Sequence, residues 1–195
     1  MMQKTAILIL AAGNASRMGK IKQLLPYKNT TLLKWTIKQA QKSVVENVFC
    51  VLGANKETIE KELKTSAVET IYNPNYQNGL SSSIVIGIDF LQKHNFDYAL
   101  IMLADQPHIT FQCLNRLVKT SKNNPSKIIA SNYQGSVGVP AVFPKDYFNN
   151  LLNLQGDKGA KNFLLQHNDD VIKVNSSQNL IDIDTPEDYQ RLLRQ

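Results

Sequence analysis

A segment rich in small residues follows an apolar run near the start of the chain and has the residue types of a phosphate-binding loop. The run from Ala6 to Leu10 is typical of a strand buried on both faces. Residues 11–16 are small or polar, so the backbone can approach a ligand closely, and successive backbone N–H groups in such a turn attract anions. Arg17 and Lys22 then add positive charge. These residues predict a strand followed by a phosphate-binding loop, and the alternative is a basic surface loop.

The spacing of this loop excludes two well-known phosphate-binding motifs. A Walker A loop has glycine, four residues and then Gly-Lys-Ser/Thr, and a dinucleotide-binding loop has Gly-x-Gly-x-x-Gly. Here five residues separate Gly13 from Gly19, and Ile21 stands in the place of the serine or threonine. The Gly-x-Gly-x-x-Gly pattern is absent from the segment. The loop therefore belongs to some other class of phosphate-binding protein.

Carboxylates at two later points of the chain could hold a divalent metal ion. Asp105 follows Tyr98 to Leu103, an almost wholly apolar run that is typical of a central strand. Asp182 and Asp184 alternate with isoleucines in a strand-like segment, so one of them should face the same cleft as Asp105. Mg²⁺ prefers one or two carboxylates together with phosphate oxygens and water. Asp105 alone would be read as a turn residue before Pro107, but the phosphate loop upstream favours the metal site.

Two further loops carry residues that could contact a ligand. The segment from Asn73 to Ser83 has Asn78 and Gly79 before three serines, and a serine here would cap the following helix. The segment follows a short strand, and in open α/β sheets ligands bind at the carboxyl ends of strands. Gly156 and Asp157 lie in a string with two glycines and two lysines, where Asp157 could cap a helix and the glycines and lysines around it suit an anionic ligand; the two interpretations are not exclusive.

Strand-like and helix-like segments alternate along most of the chain, which predicts a mainly parallel sheet covered by helices. The 195 residues fit one domain, 1–195, and an apolar fraction of 43% supplies a sizeable core. Thr185, Pro186 and Asp188 have the types and spacing of a strong helix start. We therefore predict an α/β fold whose last helix begins directly after Asp184.

The composition excludes several other classes of protein. The net charge of +6 suits anionic ligands, but the basic residues are spread out, which disfavours nucleic-acid binding. Cys50 and Cys113 have the surroundings of core residues, and no His/Cys cluster predicts a zinc site. The pattern of a signal peptide is absent and no apolar stretch approaches 18 residues, so we expect a cytoplasmic protein without membrane contact.

The loop and the Asp105 segment together resemble the MobA-like NTP transferase family, the nucleotidyltransferases related to molybdenum cofactor enzymes. That family opens with Leu-Ala-(Ala/Gly)-Gly, a serine, and then Arg-Met-Gly-x-x-Lys. The chain carries the corresponding residues Leu10, Ala11, Ala12, Gly13, Ser16, Arg17, Met18, Gly19 and Lys22. Leu-Ala-Asp-Gln-Pro around Asp105 is similar to the family's metal-binding motif. The resemblance implies a Rossmann-like three-layer α/β/α sandwich of the nucleotide-diphospho-sugar transferase type.

The resemblance also implies a set of site residues. Its catalytic members would be Arg17, Lys22 and Asp105. Its nucleotide-binding members would be Leu10, Ala11, Ala12, Gly13, Ser16, Arg17, Lys22, Asn78, Ser81 and Ser82. Its acceptor-binding members would be Gly138, Pro140, Gly156 and Asp157, and its metal ligands Asp105 and Asp184, with Mg²⁺ as the metal. Family members often have histidine where this chain has Val139, which leaves the acceptor open.

The activity implied is transfer of CMP from CTP to the phosphate of the molybdenum cofactor, with release of pyrophosphate. Ala12 is the clue to the base, because the family has Leu-Ala-Ala-Gly in enzymes that use CTP and Leu-Ala-Gly-Gly in guanylyl relatives. One alternative is another NTP transferase of the same fold, of the guanylyl or sugar-phosphate type. The other is a nucleotide-binding maturation factor for a molybdenum hydroxylase, and such a hydroxylase is also the expected protein partner.

Overall fold

A seven-stranded sheet forms the centre of the protein, whose computed structural model describes residues 3–14, 18–133, 136–157, 159–175 and 182–194. The strands of this sheet are β1 (Thr5–Leu10), β4 (Asn47–Leu52), β5 (Glu69–Tyr72), β6 (Tyr98–Leu103), β7 (Ile128–Tyr133), β8 (Ser136–Pro144) and β9 (Val171–Asn175). Two short strands, β2 (Pro26–Tyr27) and β3 (Thr30–Thr31), pair with each other outside it.

The strand order is β5-β4-β1-β6-β8-β7-β9. β1 lies between β4 and β6 and is parallel to both, while β5 and β9 are parallel to β4 and β7. β8 is antiparallel to its neighbours β6 and β7. The predicted mostly parallel sheet is thus confirmed, and β1 and β6 place the ends of two central strands side by side.

Helices cover both faces of the sheet, which confirms the predicted three layers. One face carries α1 (Leu32–Gln41), α2 (Lys56–Leu63) and α4 (Phe111–Asn123), and the other carries α3 (Leu80–Lys93), α5 (Phe148–Leu152) and α6 (Ala160–Gln166). Side chains of a strand alternate between the two faces. Ile7 and Ile9 of β1 accordingly pack into the first core and Leu8 into the second, and all three are fully buried.

The last helix, α7 (Pro186–Leu193), begins at the predicted position. The Thr185 hydroxyl accepts from the Asp188 N–H, and the Asp188 carboxylate accepts from the Thr185 N–H at 3.0 Å, which together form a capping box. The Tyr189 hydroxyl donates to the Pro26 carbonyl at 2.7 Å, so the helix is tied to the small hairpin. This packing sets the position of Asp184 at the helix entrance.

Three local predictions differ from the structure. No serine caps α3: its N-cap is Gly79, and the serines lie inside its first turn. Asp157 does not cap α6, whose N-cap is Gly159. Residues 182–184 lie outside any strand, and the Ile183 N–H instead donates to the Asp105 carbonyl at 3.1 Å. The third difference matters for function, because it brings the Asp182–Asp184 segment directly against Asp105.

Both cysteines are free and buried, which confirms their prediction as core residues. Among the helices described above, none is both long enough and apolar enough to cross a membrane.

Candidate active site

A cavity of about 740 Å³ opens beyond the carboxyl ends of β1 and β6. One wall is the loop that follows β1, and another is the chain before α3 together with its first turns. The residues that line it are Leu10, Ala11, Ala12, Gly13, Asn14, Lys22, Gln23, Tyr76, Gln77, Gly79, Leu80, Ser83, Leu103, Ala104, Asp105, Asp157, Asp182 and Asp184. A volume of this size lies within the usual range for small-molecule sites.

The loop after β1 is held in place by Gln23, a residue that the sequence analysis missed. The Gln23 side-chain amide donates to the carbonyls of Ala11 at 2.8 Å and Gly13 at 3.0 Å. The Ala12 carbonyl accepts from the Ala54 N–H at 3.0 Å. These bonds turn three successive carbonyls towards protein donors. Only its position beside Lys22 in the chain could have drawn attention to Gln23.

The ammonium group of Lys22 lies between two carboxylates. Its Nζ is 2.7 Å from Asp105 Oδ2 and 3.0 Å from Asp184 Oδ1. Burial lowers the pKa of Lys22, but the charges of Asp105 and Asp184 and the hydrogen bonds to them outweigh burial and raise that pKa above its ordinary value. Lys22 is therefore a permanent cation at this point of the cavity.

Packing against α1 fixes the segment that carries Asp105. The Thr36 hydroxyl donates to the Ala104 carbonyl at 3.2 Å, and the Trp35 indole N–H donates to the Pro107 carbonyl at 2.9 Å. Asp184 comes from the other side, where its own N–H donates to the Asp188 carboxylate at 3.3 Å. Two separate helices, α1 and α7, thus hold the two carboxylates in position.

The carboxylates have properties that suit a divalent metal ion. Asp105 Oδ1 is buried without a hydrogen-bond partner among the residues that the structure describes. Asp182 lies nearby, and its burial, followed by the negative charge of Asp105, raises its pKa. The described chain holds no group of three or more His, Cys, Asp or Glu residues arranged to hold a metal by themselves. Asp105 and Asp184 would therefore need oxygen ligands from water or substrate phosphates, as is usual for Mg²⁺.

A second cavity of about 260 Å³ adjoins the first. Leu10, Leu80, Leu103 and Asp182 line both cavities. The smaller one extends towards β7 and β8 and reaches Gly138. The two cavities together could hold two ligands, or two parts of a complex, side by side.

Some of the predicted site residues line the two cavities and others do not. Leu10, Ala11, Ala12, Gly13, Lys22, Asp105, Asp157 and Asp184 line the large cavity, and Gly138 lines the small one. Ser16 and Arg17 lie outside the described residues. Asn78, Ser81, Ser82, Pro140 and Gly156 line neither cavity.

Of these last residues, four take part in hydrogen bonds between a side chain and the backbone within the fold. The Ser81 hydroxyl donates to the Gly156 carbonyl, and the Ser82 hydroxyl donates to the Gly79 carbonyl at 2.8 Å. The Pro140 carbonyl accepts from the Ser131 hydroxyl at 2.8 Å. Ser83, which had been given no role, lines the large cavity instead.

Gly79 is the point where the chain turns from the cavity wall into α3, and we expect its replacement by alanine to destabilise the fold. Its φ of +91° and ψ of 178° lie in a region that only glycine adopts readily. An added Cβ would also lie 2.6 Å from the Gly156 carbonyl oxygen. Gly79→Ala should lower the free energy of unfolding by about 1–3 kcal/mol or more, measured by urea denaturation. Gly13→Ala is the control, because nothing lies within 4 Å of a Cβ there; equal effects would contradict the argument.

The sheet order, the cavity at the strand ends and the carboxylate pair define a protein of the nucleotide-diphospho-sugar transferase fold, and comparison with known proteins gives the family. Residues 7–171 match the model of the MobA-like NTP transferase domain. The match covers most of the chain, and the protein therefore belongs to the MobA-like NTP transferase family of nucleotidyltransferases.

Among characterised relatives, the chain is 29% identical to the purine catabolism protein PucB of Bacillus subtilis over 195 residues, which covers 95% of this chain and 94% of PucB. It is 25% identical to the molybdenum cofactor cytidylyltransferase of Escherichia coli over 182 residues, which covers 93% and 92% of the two chains. Their names point to different pathways, so similarity alone leaves the substrate open.

The solved structures agree on the fold. The crystal structure of Rv0371c from Mycobacterium tuberculosis superposes with a TM-score of 0.89 at 26% identity, and the alignment covers 100% of both chains. Rv0371c was also solved in complex with manganese, and that structure has a TM-score of 0.84 at 25% identity over 98% of this chain and 99% of Rv0371c. A protein similar to this one therefore binds a divalent metal.

Proposed function

We propose that this protein transfers the CMP group of CTP to the phosphate of a molybdenum cofactor acceptor and releases pyrophosphate, with Mg²⁺ as its metal. The observation that carries the proposal is the contact of Lys22 with Asp105 and Asp184 inside the cavity that the loop of residues 10–14 lines. A cation and two carboxylates beside a glycine-containing loop are the groups that a nucleoside triphosphate and a divalent metal need.

The reaction forms a bond between an acceptor phosphate oxygen and the α-phosphorus of CTP, and it breaks the bond from that phosphorus to the oxygen that bridges the α- and β-phosphates, which leaves as a terminal oxygen of pyrophosphate. A phosphate nucleophile is already ionised at neutral pH, so the protein does not need a general base. Its contribution is then positioning and the neutralisation of charge.

Lys22 is suited to neutralising the charge of the phosphates. An ammonium group has three N–H donors, and Asp105 and Asp184 accept two of them, which leaves one for a phosphate oxygen. Asp105 and Asp184 would also hold Mg²⁺, which when bound supplies further positive charge to the phosphates. Arg17 is proposed to contact the triphosphate as well.

The choice of CTP is supported by two observations. Ala12, the residue that resembles the pattern of CTP-using members, is buried in the wall of the large cavity. The similarity to the Escherichia coli cytidylyltransferase extends over nearly the whole chain. Gly138 in the adjoining cavity supports an acceptor on that side.

Thermal unfolding with CTP, GTP, ATP and UTP, each with Mg²⁺ or with EDTA, tests the choice of nucleotide. A ligand that binds the folded state at about 100 times its Kd adds about 2.7 kcal/mol to the free energy of unfolding. For a protein of this size that raises Tm by about 5–10 °C. We expect this shift with CTP and Mg²⁺ only. A shift with GTP alone would move the protein to the guanylyl type, and the absence of any shift would contradict nucleotide binding.

Pyrophosphate release then separates an enzyme from a binding factor. With CTP, Mg²⁺ and molybdenum cofactor present, we expect pyrophosphate in proportion to the acceptor consumed. Omission of the acceptor is the control. CTP binding without pyrophosphate release would favour a nucleotide-binding maturation factor, and release with a sugar phosphate in place of the cofactor would change the acceptor.

A further inference from the structure

The smaller cavity contains two buried polar atoms that have no partner. Gln106 Oε1 and the Tyr133 hydroxyl are both shielded from solvent, and neither makes a hydrogen bond within the described parts of the chain. Both residues line the cavity of about 260 Å³. Buried polar groups in folded proteins are nearly always hydrogen-bonded, so an acceptor and a hydroxyl without protein partners in one cavity are available to bind a ligand.

The orientation of Gln106 is set by its neighbour. Its side-chain N–H donates to Asp182 Oδ1 at 2.9 Å, and a carboxylate can only accept from it. The amide nitrogen therefore faces Asp182, and the carbonyl oxygen is the atom left over for a ligand. Gln106 itself is only 5% exposed.

Most of the other residues that line the cavity are apolar, although Ser136, Lys161 and Asp182 also reach it. Its walls include Ile84, Ile101, Leu103, Val137 and Val139. Such walls suit a flat ring system, whereas the two polar atoms select what stands on the edge of that ring. Gln106 Oε1 requires a hydrogen-bond donor, which a ring N–H supplies. Tyr133 offers an O–H donor, since burial raises the pKa of its hydroxyl and keeps it protonated.

We infer that the smaller cavity binds the lactam edge of an oxo-heterocycle, with Gln106 Oε1 accepting from the ring N–H and the Tyr133 hydroxyl donating to the adjacent ring C=O. Gln106 and Tyr133 are thus specificity-determining residues. The inference rests on the proposed function in one respect: the ring is taken to be the end of the acceptor molecule, whose phosphate reaches the large cavity past the shared wall. Pterins and oxopurines both have such an edge.

Calorimetric titration with the isolated rings tests the assignment. Pterin and hypoxanthine are each titrated into the protein with and without CTP and Mg²⁺. We expect pterin to bind, with the same affinity when CTP is present. In Tyr133→Phe the affinity for pterin should fall about 3- to 10-fold, as the loss of one hydrogen bond predicts. Tyr133→Phe removes only an unpartnered oxygen, so the fold should be unaffected.

Two controls isolate the proposed contacts. Tyr98→Phe makes the same chemical change at the other end of the sheet, where the Tyr98 hydroxyl donates to the Pro125 carbonyl at 3.1 Å, and it should leave ring binding unchanged. 3-Methylpterin lacks the ring N–H that Gln106 would accept, so it should bind at least about 3-fold more weakly than pterin. This ligand tests Gln106 without disturbing Asp182.

The outcomes distinguish this inference from the proposed function. Wild-type affinity for pterin in Tyr133→Phe, or displacement of pterin by CTP, would overturn the assignment. Failure of both rings to bind while CTP still raises Tm would overturn it and leave the nucleotidyltransferase proposal standing. If hypoxanthine binds and pterin does not, and Tyr133→Phe weakens the binding of hypoxanthine, the lactam site is supported and its ring is an oxopurine. If the rings bind but no nucleotide raises Tm, the result would instead count against CTP as the substrate.

Discussion

Asp105→Asn is expected to lose CMP transfer almost completely while the protein remains folded. Asparagine keeps the size of the side chain but removes the negative charge that would bind the metal and that pairs with Lys22. A metal ion contributes several kcal/mol of charge stabilisation in the transition state, so kcat/KM should fall about 10³-fold or more. The measurement is pyrophosphate release with CTP, Mg²⁺ and acceptor.

The control for Asp105→Asn is Asp170→Asn. Asp170 also pairs with a lysine, Lys127, at 2.8 Å, but it lies just before β9 and lines neither cavity. This control should retain nearly full activity. Urea denaturation checks that both variants are folded. If Asp105→Asn kept activity within about tenfold of the wild type, Asp105 could not be the principal metal ligand.

Lys22→Met should produce the second large effect, which has two separate readouts. Methionine retains an unbranched chain but cannot neutralise phosphate charge, and loss of one such electrostatic group typically lowers kcat by about 10²–10³-fold. A change in KM with unchanged kcat would show that Lys22 binds substrate and transition state equally. Steady-state kinetics at varied CTP concentrations separates the two cases.

The second readout for Lys22→Met is metal binding in the absence of nucleotide. In the wild type the ammonium group lies between Asp105 and Asp184, within 3.0 Å of both, so a metal ion there must compete with it. Without that cation the two carboxylates should bind Mn²⁺ more tightly, which titration calorimetry would measure. Lys34→Met is the matched control, because Lys34 pairs with Glu62 at 2.6 Å and lines neither cavity. Equal Mn²⁺ affinity in all three proteins would refute the competition.

Local patterns explain why much of the fold could be predicted. The apolar runs of β1 and β6 are central strands because a strand buried on both faces needs apolar side chains on both. The capping box of α7 is encoded by residues within a single turn. Even so, the predicted serine cap of α3 and the predicted Asp157 cap of α6 are wrong, since Gly79 and Gly159 hold these N-cap positions. The unusual backbone of Gly79 at this turn overrides the usual preference for a side-chain cap.

Side-chain contacts between separate segments of the chain are what the sequence could not reveal. Gln23, Gln106 and Tyr133 are ordinary polar residues in the chain, and only their partners or lack of partners distinguishes them. Gln106 and Asp182 are 76 positions apart, and no periodic pattern links them. Ser81 and Ser82 are nucleotide-binding residues only by the family resemblance, and in the structure their hydroxyls donate to the backbone carbonyls of Gly156 and Gly79.

By itself the sequence determined the fold class and the resemblance to the MobA-like NTP transferase family. Strand hydrophobicity, helix starts and the loop motif all depend on residues that are close together in the sequence. Only the tertiary structure decided that Lys22 lies between Asp105 and Asp184, since the two carboxylates come from segments about eighty positions apart in the chain and are held by different helices. It also decided that a second, mostly apolar cavity adjoins the first. Such a cavity exists only where strands β6, β7 and β8 and helices α3 and α6 pack together, and no local segment encodes it.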